Sequence, residues 1–318
     1  MTTLGVFGAG VMGANHVRTA RAIREWDDVI VVDVDGARAK KIADANGFRW
    51  SSAVDGVLPF IDAAIVAVPS ALHEEVTLPL LARRTPVLLE KPVADDPDAA
   101  DRIAAAAAAS GAPVLVGHIE RFNAAVAELL RWAPAVQHVE LRRVSPAGGR
   151  ALGDVVRDLM VHDLDLALAL SKARDGHMDI ETCHAQWGAG SQEMCSALIT
   201  TASGLTISVV ASRMHQLKNR TAILTCADTV VTADLVRQSV SIERMDQTEF
   251  ITDGVVRFRQ TGTTEIPFLD SGEPLLREQR HFFEVATGRA EPLVSLGDGL
   301  AAMQLVERVR AAAGTPRA

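Results

Sequence analysis

The segment GAGVMG at residues 8–13 constrains this chain more than any other. It follows the apolar run LGVF (4–7) and opens a helical pattern over 13–24. Asp33 stands twenty residues after Gly13, inside the β-branched run VIVVDVD (29–35). A strand that turns sharply into a helix and returns as a parallel strand needs glycine at set places. Gly8 permits the tight turn, Gly10 lets the backbone approach a ligand, and Gly13 lets helix and strand pack closely. Ala9, Val11 and Met12 complete the turn, and the helix N-terminus offers its N–H groups to an anion. Asp33 can accept hydrogen bonds from a ribose, and its charge repels a 2′-phosphate. The pattern therefore calls for NAD; Arg38, Lys40 and Lys41 leave NADP open.

The strand runs AAIVAVP (63–69), PVLLEKP (86–92) and APVLVGH (112–118) alternate with helical stretches at 36–46, 71–83 and 97–110. Continuous apolar strands between helices read as βαβ units, which makes residues 1–118 a Rossmann domain with a parallel sheet. The pattern then changes. Helices near 122–132 and 154–171 frame the alternating run VQHVELRRV (136–144). Short strands follow at 180–187, 193–201, 204–211, 220–226, 229–235, 238–244, 248–252, 255–259 and 263–267. Residues 119–318 are thus expected to form a second domain, α/β in class, with a large open, mainly antiparallel sheet. Its closing helices, 274–287 and 297–312, are placed so that they can pack back on the first domain.

A net charge of −8 gives no basic footprint, so nucleic acid and anionic membrane are poor partners. Cys183, Cys195 and Cys226 are odd in number and lack metal or disulfide spacing, which suits a reducing cytoplasm. Neither a signal peptide nor a membrane span is visible. Tyrosine is absent, so no tyrosine serves as an acid–base catalyst.

Two clusters carry chemistry. Glu90-Lys91-Pro92 ends a parallel strand, where ligands of such sheets bind; Lys91 there can polarise a substrate oxygen, although read alone it is equally an exposed loop lysine. In RDLMVHDLDLALAL (157–170), Asp158 and His162 are four apart on one helix face in a nearly all-apolar helix. His162 supported by Asp158 could take a hydroxyl proton. The alternative is an acidic helix start with one satisfied histidine. His118, His162 and Asp163 have no spacing that supports a metal site, and none is expected.

GAGVMGANH, VPSALH, EKP, GHIERFN and the DxxxH of DLMVHDLD together resemble the Gfo/Idh/MocA oxidoreductases, as does the C-terminal segment from Glu273. The resemblance implies Lys91, Asp158 and His162 as a catalytic trio. It further implies Pro69 and His73 lining the cofactor cleft, Glu90 and Lys91 beside the nicotinamide riboside, and a Lys91-Pro92 bond that is often cis. It implies substrates that are sugars, inositols or nucleotide sugars, and a homodimer or homotetramer built through the C-terminal sheet. ERFN (120–123) and residues 212–235 are most similar to UDP-N-acetylglucosamine 3-dehydrogenases, which makes Arg121, Asn123, Lys218 and Arg220 candidate substrate contacts. Two positions depart from that pattern: Ala124 replaces its proline and Ser212-Arg213 lacks its tryptophan. An inositol or free-hexose dehydrogenase, and a non-catalytic NAD sensor, are the alternatives.

Overall fold

The computed structural model describes residues 2–148, 153–188, 191–252 and 255–315. The chain divides into two compact units, Met1–Phe122 with Gly272–Met303, and Asn123–Ser271 with Gln304–Ala318.

In the first unit, β1 (Thr3–Phe7), α1 (Val11–Ile23), β2 (Asp28–Val32), α2 (Gly36–Asn46) and β3 (Arg49–Ser51) form the opening half. The second half is β4 (Ala63–Val66), α3 (His73–Ala82), β5 (Val87–Glu90), α4 (Pro97–Ser110) and β6 (Val114–Gly117). The strands are parallel in the order β3-β2-β1-β4-β5-β6, as the fold expectation requires. Every residue of β1, β4, β5 and β6 is buried, because helices cover both faces. Strand order reverses between β1 and β4, so their carboxyl ends diverge and leave a crevice for a ligand.

The unit is closed by a segment far away in sequence. In α7 (Pro274–Ala286), Leu275, Glu278, Gln279, Phe282 and Val285 form the buried stripe. Trp26, just beyond α1, meets Phe283 edge-on at 4.8 Å between ring centroids. Val294 accepts the Val116 N–H at 3.0 Å. This unit thus takes in 119–122 and 272–303, where the sequence reading ended the first domain at 118. The three-residue β3, too short for a periodic signal, was also unforeseen.

The second unit contains α5 (Ala124–Trp132), β7 (His138–Val144), α6 (Val161–Asp175), β8 (Ile180–Trp187), β9 (Met194–Thr201), β10 (Thr206–Ser212) and β11 (Asn219–Thr225). It continues through β12 (Thr229–Asp234), β13 (Ser239–Thr252) and β14 (Val255–Glu265). The final helix, α8 (Leu296–Ala313), contributes Leu305, Val306 and Val309 to this unit's core. The eight strands lie in the order β14-β13-β12-β11-β7-β10-β9-β8. Only β7 and β10 run parallel; the other pairs are antiparallel. Val139 and Leu141, Ile207 and Val209, and Ala222 and Leu224 bury against Leu164 and Ala167 of α6 in one apolar core.

Two differences from the sequence reading have physical causes. The four expected strands between 238 and 267 are two long ones, β13 and β14. From Met245 to the end of β14 both strands pair in register with every described side chain exposed, so no burial alternation marks their continuity. The helix expected over 154–171 opens as a π turn, Val156–Met160, before α6 begins. Among the described residues no helix is long and apolar enough to cross a membrane.

Candidate active site

The glycine turn leaves little freedom at two positions. Gly8 has φ +97°, and a Cβ there would lie 2.5 Å from the Ala67 carbonyl oxygen; at Gly13 it would lie 1.7 Å from that of Gly8. In front of Gly10, by contrast, a Cβ would meet nothing within 4 Å. The α1 helix begins there with no side-chain cap and no acid in its first turn. The N–H groups of Val11, Met12 and Gly13 therefore look outward for an acceptor, and a pyrophosphate fits the open space. Asp33 is already engaged: Oδ2 accepts the Ala9 N–H at 2.7 Å and Oδ1 the Asp35 N–H at 2.8 Å. It ties the glycine turn to the end of β2, and the second lone pair on each oxygen can serve a ribose. Arg38 lies 3.8 Å from Asp33 and 3.2 Å from Asp35.

Lys91 follows the carboxyl end of β5, half-buried, and its bond to Pro92 is cis. Beneath it Glu90 is buried, with Oε1 2.8 Å from His16 Nε2 and Oε2 accepting the Lys91 N–H at 3.3 Å. The Gln279 side-chain amide donates to the His16 carbonyl and to His16 Nδ1, both at 2.8 Å. An amide nitrogen facing a carbonyl oxygen fixes the orientation of Gln279. His16 Nδ1 is then the acceptor, and the network assigns the ring proton to Nε2, which donates to Glu90. Glu278 is fully buried, and neither of its carboxyl oxygens has a hydrogen-bond partner among the described residues. Burial, reinforced by the charge of Glu90, holds its pKa well above the usual carboxylate range.

Pro69 precedes the 3-10 turn Ser70–Leu72. The His73 ring is enclosed, with Nδ1 2.9 Å from the Pro92 carbonyl and Nε2 3.1 Å from that of Val68. Burial lowers its pKa. The ring thus joins the Val68 turn to the segment after Lys91.

In the second unit, polar groups gather where β7 and β10 end and β11 begins. Asp158 sits in the π turn, half-buried, and its Oδ2 accepts from Arg213 Nη1 at 3.0 Å. His162 lies one turn on, in the first turn of α6, also half-buried. Asp163 is locked in a fully buried pair with Arg143, with contacts of 2.9 and 3.1 Å. Arg220 stands opposite Arg143 in the β7–β11 register, on the face that carries Ala222 and Leu224. Lys218 is exposed just before β11.

The other two candidate contacts fare differently. Arg121 lies in the 3-10 turn Ile119–Phe122 of the first unit, half-buried. Asn123 is 2% exposed: Oδ1 accepts the Ala125 N–H at 3.0 Å and Nδ2 donates to the Leu235 carbonyl at 2.9 Å. It caps α5 and ties it to the strand beyond. Residues 149–152, between β7 and the π turn, lie outside the described residues.

Residues 2–118 match the model of the Gfo/Idh/MocA oxidoreductase family, NAD-binding Rossmann fold. Residues 2–118 belong to that family, and the chain is an oxidoreductase. It is 29% identical over 241 residues, 75% of either chain, to a UDP-N-acetylglucosamine 3-dehydrogenase of Acidithiobacillus ferrooxidans. A solved structure of that enzyme superposes with TM-score 0.84 at 25% identity, covering 98% of this chain and 96% of the other. An inositol 2-dehydrogenase of Acidothermus cellulolyticus is 34% identical over 176 residues, 51% of each chain. The GenD2 protein of gentamicin A biosynthesis, solved in complex with NAD, shares the fold at TM-score 0.79 and 20% identity, covering 99% of this chain and 95% of that one. This oxidoreductase thus has the NAD-binding fold that its glycine turn called for.

Reading the sequence of this oxidoreductase missed Arg213, Arg143, Glu278, Gln279 and the role of His16. His16 was visible only as the last letter of GAGVMGANH. Gln279 reaches it across 263 residues and Arg213 reaches Asp158 across 55, separations that no periodic pattern reports.

Proposed function

We propose that this oxidoreductase transfers hydride between C4 of the nicotinamide and a secondary alcohol carbon of a sugar ring, using Lys91, Asp158 and His162. Bound NAD supplies the hydride acceptor. As the carbinol hydrogen leaves with its electron pair, His162 takes the hydroxyl proton, and a ketone remains. Lys91 donates a hydrogen bond to the substrate oxygen and stabilises its developing charge. Asp158 holds the histidine ring in orientation. The observation that carries the reading is the gathering of Asp158, His162 and Arg220 at one end of the larger sheet, with Lys218 beside them. Two cations there suit an anionic substrate, and a nucleotide sugar oxidised at the 3-position, such as UDP-N-acetylglucosamine, meets that demand.

A second reading, an inositol or free-hexose substrate, draws support from the inositol 2-dehydrogenases, which match over about half of the chain. The test is nicotinamide absorbance with UDP-N-acetylglucosamine, myo-inositol and glucose in turn. Lys91→Met and His162→Ala should each cut turnover by about 10²–10⁴-fold while NAD still binds. Turnover near wild type in either variant overturns the trio, and NAD binding with no sugar turning over favours a sensor.

The same reading includes a homodimer or homotetramer built on the outer face of the large sheet, where Leu198, Met245 and Phe258 are exposed. Light scattering of the full chain checks it. Three free thiols suit work in the cytoplasm.

A further inference from the structure

Arg213 follows directly on β10 and is 5% exposed. Its backbone N–H donates to the Glu193 carbonyl at 2.8 Å, which extends the β9–β10 ladder by one step. The guanidinium is held from three directions. Nε and Nη2 make a bidentate pair with Glu193 at 2.8 and 3.0 Å, Nη2 also donates to the Gly153 carbonyl at 2.8 Å, and Nη1 donates to Asp158 Oδ2 at 3.0 Å. Gly153 precedes the π turn and Asp158 sits within it, so one side chain fixes both places. A surface ion pair contributes little because two long side chains must be frozen in high dielectric. Here the fork is buried and its plane is set by Glu193 before Asp158 is engaged, which aims Nη1 at one carboxylate oxygen.

Other charged groups around the turn are committed elsewhere. Asp154 Oδ1 accepts the Val156 and Arg157 N–H groups at 3.0 and 3.1 Å, and its Oδ2 accepts from Arg310 at 2.9 Å. Arg157 pairs with Glu307, and Asp163 with Arg143. Among the described residues, Arg213 is a cation that the fold directs at Asp158.

We propose that Arg213 is a positioning residue for the acid–base pair, holding the Asp158 carboxylate at a fixed place so that it orients His162 rather than relaying its proton. The inference rests on the assignment of Asp158 and His162 given above. An aspartate oxygen that already accepts from a held guanidinium is fixed in place, which suits the carboxylate to aligning a ring. Its task is to keep the ring aligned and to stabilise the imidazolium that forms as hydride leaves.

The test uses the full-length enzyme, NAD and whichever of UDP-N-acetylglucosamine, myo-inositol or glucose turns over, with kcat followed against pH in wild type, Arg213→Met, Arg213→Lys, Glu193→Gln and Asp158→Asn. In Arg213→Met, kcat should fall about ten- to a hundredfold with KM for NAD unchanged. Its acid limb should move to higher pH, because removing a cation beside the carboxylates favours the imidazolium. Asp158→Asn should move the limb to lower pH. Arg213→Lys keeps the charge without the fork, so the limb should stay while kcat falls severalfold. Glu193→Gln leaves Arg213 less firmly held and should show a smaller loss of the same kind, which covers the case in which Arg213→Met does not fold. A limb and kcat at wild-type values in folded Arg213→Met, or in both Arg213→Lys and Glu193→Gln if it does not fold, overturns the proposal. If in that experiment Asp158→Asn is slowed with its limb moved and His162→Ala, assayed alongside, is inactive, the proposal alone has failed. If His162→Ala is active, or no sugar turns over, the underlying assignment has failed and takes the proposal with it.

Discussion

The carboxyl end of the parallel sheet and the β7–β10 end of the larger sheet both gather polar groups at a sheet edge, but from different materials. The first is mostly backbone. Glycines without room for a Cβ, an uncapped helix and one aspartate that accepts two main-chain N–H groups shape the cofactor turn. The second is made of side chains held by other side chains, with Arg213 on Asp158 and Arg143 on Asp163. A backbone-built site depends on residues near one another in sequence, whereas an ion-pair-built site can draw a partner from anywhere in the fold. The first should fail through steric conflict and the second through uncompensated charge.

The sharpest way to break that contrast is Gly13→Ala. A methyl group 1.7 Å from the Gly8 oxygen forces the turn open, and NAD affinity in calorimetry should fall about a hundredfold or more, on the order of 2.7 kcal/mol. Affinity near wild type would mean that the turn is not set by steric fit. Arg143→Met attacks the other kind of construction. It leaves the buried Asp163 carboxylate without its partner cation, and urea unfolding should show a loss of about 3–5 kcal/mol. A loss near zero would put that pair in the same class as a surface one. Asn123→Ala removes the α5 cap, so stability should drop by about 1 kcal/mol while KM for the sugar stays constant. A raised KM with unchanged stability would mark Asn123 as a substrate contact.

The smallest effect at acid pH, and one that grows with pH, belongs to Glu278. Its pKa is raised in the fold, so the stability it contributes is complete below the unfolded glutamate value and is lost as pH rises through the folded one. Glu278→Gln carries no such loss. Its melting temperature should match wild type in acid and exceed it increasingly towards alkaline pH, by about 2–4 °C for each kcal/mol recovered. Parallel curves would show that Glu278 ionises without cost.

These differences also explain how far the sequence could be read. Gly8, Gly10, Gly13 and Asp33 were legible because the turn they make is local and its steric demands admit few residue types. The strand alternation of 136–144 and the closing helices were legible from burial periodicity. The arm of β13 and β14 was misdivided because every described side chain from Met245 onward faces water, which removes the periodic signal. Asp158 and His162 stood out as polar residues in an apolar helix, yet the π turn that carries Asp158 left no trace in the spacing. The capping role of Asn123 was not legible, because capping and recognition draw on the same amide chemistry.

The link from Gln279 to His16 also sets a timetable. The support beneath Glu90 is complete only when a helix some 260 residues downstream has been made. At about 5–20 residues per second, a growing chain has had its first 122 residues for roughly ten to thirty seconds before Gln279 is added. Through that interval Ile23, Trp26 and the rest of the α1 surface lack Phe282 and Phe283, and residues 123–271 of the second unit are synthesised first. The unit that holds the glycine turn waits for a helix encoded on the far side of the other unit's strands.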